Sequence, residues 1–129
     1  MEIDSPNVGL AGLLLIRDGE LTSLASFCEA APVIVAACAN PKQSGMKGDQ
    51  SYYLLDIGIA MEHLVLAAAE QGLGTCWVGW FDEKKARKAL GAPASIRVVA
   101  CTPLGFPDET PEQRPRKALG EIVRRDQWA

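Results

Sequence analysis

With one histidine in 129 residues, and four cysteines that form no C-x-x-C pair, this chain lacks the usual raw material of a metal centre. Cys28, Cys38, Cys76 and Cys101 each stand in apolar surroundings, so they are expected to be buried small hydrophobes in a reducing compartment. His63 lies mid-helix by its spacing, and no G-x-S-x-G elbow supplies a nucleophile for it; packing or an interface is its expected role. An excess of positive charge is also missing. Thirteen basic against sixteen acidic residues give a net charge of −3, which offers no basic face to nucleic acid or an anionic membrane. No uninterrupted apolar run approaches the roughly 20 residues a bilayer span needs. The best, Ile57 to Ala69, carries Glu62 and His63 at its middle. Met1-Glu2-Ile3-Asp4 has neither the basic start nor the apolar stretch of a secretory signal, so a cytoplasmic protein is expected.

What is present is ordinary globular material, 48% hydrophobic and 22% charged, enough for one domain over residues 1–129. Leu13 to Ile16 reads as a short buried strand, and Glu20 to Glu29 as a helix with Leu21, Leu24, Ala25 and Cys28 on one face. Pro32 opens the β-branched run Val33 to Cys38, expected to be a central strand. A polar loop from Asn40 to Gly48 leads into a long helix, Asp49 to Gln71, closed by Gly72 and Gly74. Thr75 to Gly79 is a short strand. Asp82 caps a helix over Glu83 to Leu90, and Ser95 to Leu104 is the last strand. A polar tail follows, helical from Ala118 to Arg124. The alternation predicts an α+β or α/β domain, a mixed sheet flanked by helices.

Local motifs exclude several chemistries. Gly72-Leu73-Gly74-Thr75-Cys76-Trp77 matches a dinucleotide fingerprint only at its start, and it follows a helix instead of opening one. Gly45-Met46-Lys47-Gly48 lacks the spacing and ending of a phosphate loop. Asp56 and Glu62, six apart, fall on different helix faces and form no carboxylate pair. Arg114-Pro115-Arg116-Lys117 suits a phosphate cradle, because guanidinium presents its donors in a fixed fork. A solvated patch neutralised by Glu109, Glu112 and Glu121 is the favoured reading of these residues on their own.

Four segments, in order, resemble the nitroreductase family. Ala31 to Val35 resembles its early strand, and Tyr52 to Leu64 its long central helix. Gly72-Leu73-Gly74-Thr75-Cys76-Trp77-Val78-Gly79-Trp80-Phe81 resembles the glycine-rich turn and strand that follow. Val98 to Pro107 with Arg114 to Leu119 resembles the closing strand and phosphate-contacting arm. The resemblance implies an α+β nitroreductase-like fold and a homodimer with FMN at the subunit interface. It also implies NAD(P)H as co-substrate and a nitroaromatic, quinone or similar acceptor. Val78, Gly79 and Trp80 would then lie against the isoalloxazine ring, with a backbone amide near N5, and Arg114 and Arg116 would hold the phosphate. No catalytic side chain is implied, since the cofactor carries the chemistry.

Many relatives have a second glycine where this chain has Trp80. The family's Arg-rich N-terminal segment has no counterpart, and Ser5-Pro6-Asn7-Val8-Gly9 only faintly echoes the turn that follows it. The single domain is therefore read as one without its usual N-terminal flavin-phosphate segment. The alternative function is a flavin-free binding or interaction protein. The long helix is expected to offer Leu54, Met61, Leu64, Val65 and Ala68 as a dimer seam, with monomeric core packing as the alternative.

Overall fold

The structure, a computed structural model, describes residues 10–16, 28 and 30–128. The helix expected over Glu20 to Glu29 and the turn at Ser5 to Gly9 lie outside these residues, Cys28 excepted. Strand β1 (Leu10–Ile16) is followed by β2 (Val33–Ala39), then the two-residue strands β3 (Met46–Lys47) and β4 (Gln50–Ser51). Helix α1 (Tyr52–Glu70), strand β5 (Gly74–Thr75), helix α2 (Glu83–Ala89), strand β6 (Arg97–Gly105) and a single turn, α3 (Leu119–Ile122), complete the order.

The main sheet has the order β1-β2-β6-β5, and β2 lies inside it as expected. Its run of β-branched and small residues has no polar alternation because both faces are covered. Ile34, Ala36 and Cys38 pack with Val98, Cys101 and Ala86 of α2 on one face. Ala37 and Ala39 pack with Ala100 and with Ile57 and Met61 of α1 on the other. The α+β class holds, and every ladder among the described residues is antiparallel. The reason lies in the connections. The crossover β2-α1-β5 brings β5 back pointing the same way as β2, but β6 returns between them and separates the two like-directed strands.

One irregularity sets the faces of β6. Ala37 pairs with Ala100 and Cys38 with Val98, so Val99 is an extra residue, a β-bulge. Val98 and Cys101 consequently share the α2 face, while Val99 and Ala100 share the α1 face. Strict alternation would have put Val98 with Ala100.

Helix α1 begins three residues later than expected because Gln50 and Ser51 pair with Met46 and Lys47 in a hairpin. The Tyr52 amide donates to the Gly45 carbonyl at 3.0 Å. The far end closes as a Schellman motif. Gly72, at φ +74, turns the chain, and the amides of Gly72 and Leu73 donate to the carbonyls of Ala69 and Ala68. At 19 residues α1 has the length and composition of a bilayer span, against the expectation drawn from the interrupting Glu62 and His63. Ile57, Met61 and Ala68 are nonetheless buried, the first two against the sheet, as in a core helix. Asp82 caps α2 as expected, accepting from the amides of Lys84 and Lys85 at 3.0 and 3.1 Å. Glu83 ties α2 to β6 through Arg97, with contacts of 2.6 and 2.9 Å, and accepts from the Val98 amide at 3.3 Å. That pairing holds the Glu83 carboxyl below its ordinary range, chiefly through the Arg97 hydrogen bond.

Candidate functional site

The segment after β5 is built by what β6 cannot do. Gly74 and Thr75 pair with Gly105 and Leu104, and Val78 pairs with Cys101, all in one continuous register. Val78 and Cys101 exchange two hydrogen bonds, at 2.8 and 2.9 Å. The next hydrogen-bonded position along this ladder sets Cys76 opposite Pro103, which has no N–H to give. The strand expected over Thr75 to Gly79 is therefore interrupted. Thr102, fully buried, fills the gap: its Oγ1 accepts from the Cys76 amide at 3.0 Å and donates to the Pro103 carbonyl at 3.0 Å. Thr102 escaped the reading of the sequence, although the Thr-Pro pair opposite a strand was its available signal.

Beyond Val78, itself 7% exposed, the chain leaves the sheet. Gly79 and Trp80 are exposed, Trp80 by 99%, and neither backbone amide donates to another described residue. Phe81 then packs back on the core and Asp82 caps α2. Gly79 and Trp80 thus form a two-residue shelf anchored at both ends. A Cβ at Gly79 would meet no described residue within 4 Å, so no contact among the described residues demands glycine there.

Arg114 and Arg116 lie together on the exposed stretch before α3. Neither makes a hydrogen bond or ion pair with another described residue, and none joins them to the Val78–Trp80 shelf. Of the acidic residues expected to neutralise them, Glu121 is engaged elsewhere, accepting from the Ala118 amide at 2.8 Å.

Two expectations are corrected. Cys28, Cys38 and Cys101 are buried, but Cys76 is exposed, since it follows the short edge strand instead of an inner one. Burial, with Cys38 and Cys28 nearby, pushes the Cys101 thiol up to about 12. The proposed seam on α1 is also redistributed. Met61 and Ala68 are buried, and Leu64 and Val65 are half-buried. The outward face consists of Leu54, Leu55, Ile59 and Leu66, which with Gly58, Glu62 and His63 line a shallow, mostly apolar groove. Small and apolar residues surround α1 almost completely, so periodicity alone could not say which stripe met the sheet. His63 accordingly sits in a surface groove, and Asp56 accepts from Ser44 Oγ at 2.9 Å on another side of the helix.

Known proteins share this frame. A nitroreductase family protein of Clostridium difficile superposes with a TM-score of 0.80 at 23% identity, covering 91% of this chain and 74% of its own, a likeness of fold. A nitroreductase family protein of Clostridium novyi is 48% identical with a TM-score of 0.59, over 61% of this chain and 45% of its own. The NADPH-flavin oxidoreductase of Vibrio harveyi is 33% identical over 76 residues, 57% of this chain and 32% of that protein. The chain spans between 32% and 56% of the length of three curated relatives it matches. The model of the Nitroreductase family matches residues 4–106, which include the central strand, the long helix and the anchored shelf. This chain belongs to the nitroreductase family.

Proposed function

We propose that the chain serves an FMN-dependent oxidoreductase, cytoplasmic and homodimeric. It would pass reducing equivalents from NAD(P)H to a nitroaromatic, quinone or similar small acceptor. The observation that carries this reading is the Gly79–Trp80 shelf, an exposed backbone step whose amides donate to no other described residue, flanked by the paired Val78 on one side and the Asp82 cap on the other. A planar ring fits it, because the space above Gly79 is open and a missing Cβ permits close approach of the main chain. Likeness to the NADPH-flavin oxidoreductase of Vibrio harveyi supports a flavin there.

FMN, when bound, supplies two-electron transfer between nicotinamide and acceptor. The chain's own part is placement. Val78 fixes the backbone through its paired hydrogen bonds to Cys101, and the amides of Gly79 and Trp80 are available to donate to a ring acceptor atom. Arg114 and Arg116 offer charge-assisted donors to a phosphate. The exposed Leu54, Leu55, Ile59 and Leu66 face of α1 supports a homodimer, since burying these side chains gains about 25 cal/mol per Å2 of apolar surface. A flavin-free binding protein is the second reading, favoured by the lack, among the described residues, of any hydrogen bond or ion pair between the arginines and the shelf.

Titration of the purified chain with FMN, followed by flavin fluorescence, tests the proposal. A yellow protein with saturable binding is expected. Colourless protein without FMN affinity would overturn it in favour of the second reading. Arg116→Ala is expected to weaken FMN binding at least tenfold, about 1.4 kcal/mol. An unchanged Kd would remove the phosphate role.

A further inference from the structure

Trp80 is 99% exposed, although tryptophan is on average a highly buried residue. The chain is tied down on both sides of it. Val78 exchanges hydrogen bonds of 2.8 and 2.9 Å with Cys101, and Asp82 caps α2. Phe81, the neighbouring aromatic, packs against the core, so the fold turns one ring in and the next one out. The other tryptophans differ. Trp77 is 43% exposed, and Trp128, though 89% exposed, has the Arg124 guanidinium over its ring at 6.0 Å. Among the described residues no cation covers the Trp80 ring, and its indole N–H finds no acceptor. Gly79 beside it adds no side chain, and a Cβ there would meet no described residue within 4 Å, so the space next to the indole is open.

The flavin reading employs the amides of Gly79 and Trp80 and leaves the indole side chain without a task. We propose that the Trp80 indole determines acceptor specificity, by stacking on a planar, electron-poor ring of the nitroaromatic or quinone kind. This rests on the flavin reading and deepens it, since it concerns which acceptor is preferred. The face of an indole is electron-rich, whereas nitro or quinone oxygens draw electrons out of the ring that bears them. The two faces therefore attract, where two electron-rich rings would shift to an offset or edge-on arrangement. At the edge of the indole, the unpartnered N–H is a donor for an oxygen of the same acceptor. An acceptor without a ring gains neither contact. Trp128 is the internal comparison, an equally accessible indole whose ring already has a cation over it.

Direct binding and turnover test the role separately. In the first experiment the full chain, with FMN if it binds, is titrated with dinitrobenzene while the indole N–H resonances are followed by NMR. The Trp80 resonance, identified by its loss in Trp80→Phe, should shift saturably at concentrations that leave Trp128 unmoved. Nitroethane, which has a nitro group but no ring, should move neither. Equal shifts at Trp80 and Trp128, or none at Trp80, would overturn the proposal. In the second, kcat/KM is measured on the FMN-loaded protein for dinitrobenzene and for ferricyanide, which has no ring to stack. Trp80→Ala should lower the ratio of the two about fivefold, chiefly through the KM for dinitrobenzene, and Trp80→Phe should recover most of it. Trp128→Phe should leave the ratio as it is. An unchanged ratio in Trp80→Ala would overturn the proposal even with FMN bound. A chain that takes no FMN yet shows the selective Trp80 shift loses the flavin reading and keeps the stacking role.

Discussion

Thr102→Val is a demanding perturbation of this structure, because it changes two hydrogen bonds and almost no volume. Thr102 is fully buried, and its hydroxyl replaces the ladder bond that Pro103 cannot supply. Valine keeps the branched shape, so little cavity forms. It strands the Cys76 amide, whose loss of its partner costs about 1–3 kcal/mol when a buried donor goes unsatisfied. The Cys76 amide is only partly buried, which places the expected loss in the lower half of that range. Urea unfolding measures the total. Amide hydrogen exchange gives the location: the Cys76 amide should exchange faster, while those of Val78 and Cys101, which bond each other, should hold. Thr102→Ser retains the hydroxyl and should restore Cys76 protection. A loss under about 0.5 kcal/mol with Cys76 protection unchanged would show that the hydroxyl does not substitute for the missing ladder bond.

Met61→Ala removes a fully buried side chain between α1 and the sheet, and should cost about 2–5 kcal/mol in urea unfolding at any protein concentration; a loss near zero would place Met61 outside the core. Ile59→Glu, at a half-exposed position on the outward face of α1, should leave the fold intact and shift a dimer to monomer in sedimentation or light scattering. An unchanged dimer would move the interface elsewhere. Glu83→Gln tests the tie from α2 to β6 through pH. The folded carboxyl titrates below its unfolded value, so its stabilisation is present above the ordinary glutamate pKa of about 4.3 and is lost as pH falls through the lower folded value. With Arg97 about half exposed, the pair should contribute less than about 1 kcal/mol. The variant should lose that amount near neutrality and show a shallower acid decline, and parallel pH profiles would refute the linkage.

The sequence by itself determined the order and type of the longer elements. The β-branched run at Val33 read as a central strand, Asp82 as a cap and Gly72 as the end of the long helix, because these signals are local. The long helix followed by Gly72 to Gly79 carried the resemblance, and the Nitroreductase family model bears it out over residues 4–106. Tertiary structure decided what depends on pairing across the chain. The Val99 bulge settles which residues of β6 meet α1 and which meet α2, and no window of sequence contains both partners of that register. Helix α1 is apolar nearly all round, so contact with the sheet, and not periodicity, turned Met61 inward and left Ile59 out. The hydroxyl of Thr102 acquired its partner 26 residues away only because Pro103 lies opposite Cys76. Cys76 was apolar in its local sequence, but its place beyond an edge strand put its thiol in solvent.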